Sequence, residues 1–221
     1  MYYPVNIIND GQVVCPIFRD NLKGEPFIFD FSSDNPQTLE YNKQDFDEFQ
    51  KQIFSQLDEA GASWGIGKYL EERKNLLIEY PQMIEEKRYY HAGLDIIVPK
   101  GRTLSAPVDG FVYRTGMDAG KGNYGGYIIL EHTINSTIFY SLYGHLDSGF
   151  RVKEGDFIKQ AEPFASTGSH EDSGGWFSHT HLQILTEKAV REERTLQGYV
   201  TLKDLEIIET IFPSPYFLFR Y

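Results

Sequence analysis

Tyr127-Ile128-Ile129-Leu130 and, further on, Ile138-Phe139-Tyr140-Ser141-Leu142-Tyr143 decide the fold class. Short runs of β-branched and aromatic residues suit a pleated, packed surface, so both read as strands. Working outward, Ile96-Ile97-Val98 and Phe111-Val112-Tyr113 read the same way, the latter after a hairpin-type Asp109-Gly110 turn. Glu154-Gly155-Asp156 interrupts two more short strands. Short strands separated by Gly-rich turns predict a mainly β domain over residues 88–221, an antiparallel sandwich or barrel-like sheet. Its Pro-broken tail, Phe212 to Phe219, is too apolar to stay in water and is expected to pack back onto the domain.

Residues 1–87 predict an α+β extension. Phe27, Phe29 and Phe31 alternate, which puts three rings on one face of a strand. Phe46, Phe49, Ile53, Phe54 and Leu57 form one stripe at helical spacing over residues 45–60, and Gly61 is a C-terminal stop. Residues 68–87 are charged and lead directly into the next segment. The chain has 221 residues, enough for one domain with a sizeable core plus a small accessory. Its net charge of −11 leaves no basic footprint, which argues against nucleic acid or an anionic membrane as a partner. The one cysteine, Cys15, excludes an internal disulfide framework. No apolar run approaches the roughly 18 residues of a membrane span. The first residues lack the basic and apolar regions of a signal peptide, so the expectation is a cytoplasmic protein, or else the mature form of an exported one.

Three motifs gather four of the six histidines: His91-Ala92-Gly93-Leu94-Asp95, Tyr143-Gly144-His145 and His179-Thr180-His181. Alternate residues share one face of a strand. His179 and His181 are therefore neighbours, with Gln183 beside them, while Leu182 and Ile184 face an apolar layer. His91 and Asp95 have matched parity, with Gly93 free to bend the segment. Two strands offering imidazoles and a carboxylate can converge on one cation. Zn2+ accepts both donor types, and its hydrolytic sites keep three protein ligands and an open position. Bound water then ionises near neutrality, and spare imidazoles can carry its proton. His132 and His170 stand outside any motif and read as structural or surface residues.

The pattern His-x-x-x-Asp followed by His-x-His resembles the lysostaphin/LytM-type zinc metallopeptidases, and Tyr143-Gly144-His145-Leu146 resembles a third segment of that family. The likeness is strongest over residues 88–187. Ala106-Pro107-Val108-Asp109-Gly110 resembles the family's first hairpin, and Val152-Lys153-Glu154-Gly155-Asp156 a later turn. The resemblance implies His91, Asp95 and His181 as zinc ligands, with His179 as general base and His145 as the second catalytic imidazole, aiding the oxyanion. It implies a groove across the sheet and a peptide or peptidoglycan-stem substrate. Tyr143, Trp176 and Tyr124 are candidate substrate-binding residues. Two departures concern substrate choice: Tyr89 stands where many members have Arg, and the loop 171–178 before His179 is long and Gly-rich. The expected activity is zinc endopeptidase. The alternatives are a cytosolic peptidase acting on non-wall peptides and a non-catalytic zinc-stabilised module. Because residues 60–88 run straight into His91, Asn75, Glu72 and Glu79 are candidates to fill the fourth metal position and hold the chain latent.

Overall fold

Asn135 and Ser136 both adopt positive φ, 51° and 61°, and this two-residue turn joins the longest strands of the chain. Consecutive left-handed residues match the right-handed twist of flanking strands. They set the register of β7 (Gly125–Ile134) against β8 (Thr137–Leu146), with Ile134 opposite Thr137. The computed structural model describes residues 13–19, 22–41 and 45–221.

The other strands are β1 (Phe27–Ile28), β2 (Gly65–Gly67), β3 (Tyr90–His91), β4 (Leu94–Ile97), β5 (Thr103–Ser105), β6 (Gly110–Asp118), β9 (Phe157–Ile158), β10 (Pro163–Ser166), β11 (His179–Thr186) and β12 (Tyr199–Val200). Among the described residues, eight of the twelve strands form one sheet in the order β1-β2-β4-β11-β8-β7-β6-β9. All its pairings are antiparallel except β1 with β2. The domain is mainly β, as its sequence predicts. The sheet does not close, however: β1 and β9 are its two edges. Both edge strands are only two residues long, so little edge backbone is left unpaired. β1 and β2 come from the segment before residue 88 and extend the sheet beyond β4.

Side-chain alternation gives the two faces different work. Leu94 and Ile96 on β4, Leu182 on β11, Tyr143 on β8 and Ile128 on β7 point into one core, which the β5–β10 ribbon closes with Leu104 and Phe164. The opposite face carries two separate apolar patches. Against the first packs α2 (Phe46–Glu59), whose Phe49, Ile53 and Leu57 meet Phe29, Phe31, Ile97 and Phe177. The Asp45 side chain caps this helix by accepting from the Glu48 N–H at 2.9 Å, and Gly61 follows it at φ +65°. A short helix, α1 (Gln37–Tyr41), precedes it, and α3 (Pro81–Glu86) adds Met83. Against the second patch, with Ile129, Leu142 and Leu185, pack α4 (Glu187–Arg191) and α5 (Ile208–Ile211). The tail packs back as expected: Phe212 is fully buried there, and Phe217 and Leu218 close a further cluster around Phe139. Between the two patches, over β4, β11 and β8, the sheet floor is polar. Among the described residues, no helix is long and apolar enough to cross a membrane.

Candidate metal centre and cleft

Strand pairing brings the distant motifs together. Asp95 lies directly opposite His181 in the β4–β11 ladder, and Gly144 of β8 lies opposite His181 on its other side. His91 sits on β3, separated from β4 by a break at Ala92-Gly93. That break needs glycine: a Cβ at Gly93 would stand 2.4 Å from His181 Nε2. His145 reaches the site by a different device. Regular alternation would place it on the core face with Tyr143. Instead His145 takes φ +60°, and the register of β7 on β8 slips between Gly126 and Ile128. A bulge of this kind re-aims a side chain at modest strain. The His145 ring then lies 4.2 Å from that of His179.

Three donor atoms form a near-equilateral triangle. His91 Nε2 is 3.0 Å from His181 Nδ1, and Asp95 Oδ1 is 3.2 Å from each. Two ligands about 2.0 Å from a tetrahedral zinc stand roughly 3.3 Å apart, so the spacing suits one small divalent ion. The second nitrogens fix what the first ones offer. A carbonyl only accepts, so a ring nitrogen that faces one carries the hydrogen. His91 Nδ1 faces the Lys68 carbonyl at 2.9 Å. His181 Nε2 faces Gln183 Oε1 at 2.9 Å, and the amide is held in that sense because its Nε2 donates to the Gln197 carbonyl. Tyr124 Oη also donates to Gln183 Oε1. Both ligand histidines therefore turn lone pairs toward Asp95. His179 Nδ1 faces the Phe177 carbonyl at 2.7 Å and His145 Nδ1 the Ser173 carbonyl at 3.0 Å, leaving their Nε2 atoms as acceptors too. His179 Nε2 is 3.6 Å from Asp95 Oδ1, at the edge of the triangle.

All five of these side chains are buried. Burial, aided by the Arg73 charge, lowers the His91 pKa to about 3. Burial and the His179 and His181 rings push His145 well below its usual value, and burial lowers His179 as well. Burial opposes ionisation of Asp95, but the Arg73 guanidinium bonded to its Oδ2 outweighs it and holds its carboxyl below the usual range. Two imidazole lone pairs and a carboxylate oxygen thus converge in a buried space that disfavours a proton. A divalent cation would supply the missing positive charge, and this donor set fits zinc.

The cleft over the triangle has a volume of about 170 Å³. Trp176 and Tyr124 line it, as do His145 and His179. Trp176 stacks on Tyr80 at 5.3 Å, and Tyr124 stands edge-on to His181 at 5.2 Å. Tyr143, expected at the groove, is not there. It is fully buried on the core face against Phe164, bonded to Ser141 Oγ, because parity at 143 opposes that of Gly144 and His181. The latency candidates also stay away. The Asn75 amide donates to the Ser33 carbonyl, Glu72 accepts from the Lys74 N–H, Glu79 is exposed, and none of the three lines the cleft. His132 is a buried structural residue, held between the Asp109 carbonyl and Ser141 Oγ. His170 is partly exposed, with its Nδ1 3.8 Å from Asp47.

Sequence reasoning missed Arg73, which is buried and donates to Asp95 Oδ2 at 2.7 Å. Nothing in its spacing links it to the motifs. Gln183 was on the right face, but its hold on His181 needed the Tyr124 and Gln197 partners to be visible. Gly67 carried no signal, yet a Cβ there would meet Arg73 Nη2 at 2.8 Å.

A polar cleft floored by a β-sheet holds three convergent donor groups that could bind a metal ion, with two further imidazoles beside them. Residues 89–192, a little under half of the chain, match the model of peptidase family M23. No curated protein matches the chain. Among solved structures it is similar to a zinc-containing peptidase from Vibrio cholerae, with 29% identity and a TM-score of 0.36, over 44% of this chain and 27% of that one. It is also similar to the catalytic domain of the antimicrobial peptidase lysostaphin from Staphylococcus simulans, at 19% identity and a TM-score of 0.41, over 55% and 80% of the two chains. A variant of the prophage-encoded M23 protein EnpA from Enterococcus faecalis shows 22% identity and a TM-score of 0.38, over 51% and 75%.

Proposed function

We propose that the chain is a zinc metalloendopeptidase that cleaves peptide bonds in peptidoglycan stems or Gly-rich peptides. One observation carries this reading: His91, Asp95 and His181 turn three proton-free donor atoms toward one buried point, while His179 and His145 add unprotonated Nε2 atoms beside it. When bound, zinc supplies Lewis acidity, polarising a substrate carbonyl and acidifying water. The family match over residues 89–192 supports the peptidase class.

The chain's own groups divide the remaining work. His179 is the general base, because its lone pair stands nearest the donor triangle and its Nδ1–H is tied to the Phe177 carbonyl. Its lowered pKa keeps it able to accept a proton at neutral pH. His145 enters with the same tautomer, so it holds a developing oxyanion only after its Nε2 gains a proton; its ring packs 4.2 Å from that of His179. Trp176 and Tyr124 form apolar walls that orient the peptide and exclude water.

The test is cleavage by the zinc-loaded protein of crosslinked muropeptides, oligoglycine peptides and ordinary L-peptides, read by mass spectrometry. His179→Gln is the control, expected to keep zinc and lose at least about 100-fold in rate. Cleavage confined to L-peptides would replace the cell-wall substrate with a non-wall one. Stoichiometric zinc without any cleavage would favour a non-catalytic zinc module.

A further inference from the structure

The strongest unused feature is a buried ion-pair chain that enters the metal centre from outside the family-matched segment. Asp95 has two oxygens. Oδ1 faces the three histidine nitrogens, and Oδ2 accepts from Arg73 Nη1 at 2.7 Å. Arg73 is itself fixed on several sides. Its Nε donates to Glu71 Oε2 at 3.0 Å, its Nη2 approaches the Lys68 carbonyl at 3.4 Å, and its guanidinium lies 5.0 Å over the Phe31 ring. Glu71 is buried too, and its other oxygen takes the Phe31 N–H at 3.2 Å and Lys68 Nζ at 3.0 Å.

The backbone around this pair is pinned to the ligand strand. The Leu70 N–H donates to the His91 carbonyl, the His91 N–H to the Glu71 carbonyl, and the Arg73 N–H to the Tyr89 carbonyl, all within 3.0 Å. The Lys68 carbonyl touches both His91 Nδ1 and Arg73 Nη2. One loop, residues 68–73, therefore organises two of the three donor residues.

We propose that Arg73, held by Glu71, is a positioning residue for the metal centre: it occupies Asp95 Oδ2, so that Asp95 offers the metal a single oxygen in a fixed direction. The physical case is the asymmetry of the carboxylate. Left free, a buried carboxylate can rotate or present both oxygens. A short charge-assisted bond to a guanidinium that is itself anchored removes both freedoms. Partners behind a ligand commonly govern metal affinity by about 10–100-fold. The inference rests on the zinc-site reading above, and it places part of the centre's machinery before residue 89.

The experiment uses the full chain. Zinc affinity is measured by competition with a chelator, coordination by the visible absorption of the cobalt(II) form, and folding by melting of the metal-free protein. Arg73→Met is expected to weaken zinc binding about 10–100-fold and to alter the cobalt spectrum. Arg73→Lys, which keeps the charge but loses the fork that bridges Glu71 and Asp95, is expected to restore little of either. Should Arg73→Met not fold, Glu71→Gln decides: a smaller loss of affinity with the same spectral change supports the proposal. Variants that melt lower but bind zinc with wild-type affinity and an unchanged cobalt spectrum overturn it, leaving Arg73 a structural residue only. Failure of the wild-type protein to bind zinc overturns instead the metal-site reading beneath it.

Discussion

Single atoms decide whether this centre exists. Gly93 is the sharpest case, because any side chain there enters the space of the His181 ring. Gly93→Ala is expected to fold with zinc affinity lost by 100-fold or more, since one of three ligands is displaced; calorimetric titration with zinc checks it. Gln183 acts more gently. Its Oε1 fixes the His181 tautomer, and Gln183→Leu is expected to weaken zinc about 10–100-fold while leaving cleavage chemistry intact at saturating metal. His132 makes a pH prediction away from the site. Burial lowers its pKa to about 4, so the folded protein holds it neutral where the unfolded chain protonates it. Its effect on stability is therefore absent above about pH 6.5 and grows as pH falls toward 4, at up to about 1.4 kcal/mol per pH unit. Denaturant titrations of the metal-free protein at pH 7 and pH 5 should show that loss, reduced in His132→Gln after the cost of the substitution itself is subtracted.

At the scale of elements, the sequence disclosed what periodicity can carry. Strands β4, β6, β7 and β8 were legible from β-branched and aromatic runs, and α2 from its stripe of Phe49, Ile53 and Leu57. The parity of His179 and His181 was legible for the same reason. His145 was not, because its positive φ breaks the alternation on which parity arguments rest; Tyr143 keeps the alternation, but its core face follows only from the long-range pairing of Tyr143 with Leu182. The open sheet was not legible either: β1 and β2 are only 2 and 3 residues long, and their place beside β4 depends on pairings far apart in sequence. Helix α2 supports the cleft indirectly, through the Phe49–Phe177 contact at 5.1 Å and Phe177 beside His179 at 4.7 Å. Ile53→Ala, fully buried in that helix, is expected to cost about 2–5 kcal/mol of stability in denaturant titrations. Zinc affinity should stay within a factor of a few, because no ligand or tautomer partner lies on α2.

Across the whole molecule, one sheet face is a sealed core and the other is divided by the polar cleft. That division explains how an acidic chain with ordinary composition buries a polar cluster: the helical patches on either side cover the histidines, and burial lowers the pKa of His91, His145 and His179. It also explains why Arg73 escaped the sequence reading. Its relation to Asp95 runs between neighbouring strands and a loop, and it leaves no spacing signature. The central claim is that His91, Asp95 and His181 together hold one zinc ion. Metal content after dialysis against limiting zinc, by mass spectrometry of the wild-type protein beside His91→Ala, Asp95→Asn and His181→Ala, tests it most directly. The account predicts one zinc per chain in the wild type and a loss of at least about 100-fold in affinity for each folded variant. A wild-type protein that stays metal-free, or variants that retain zinc undiminished, would contradict it.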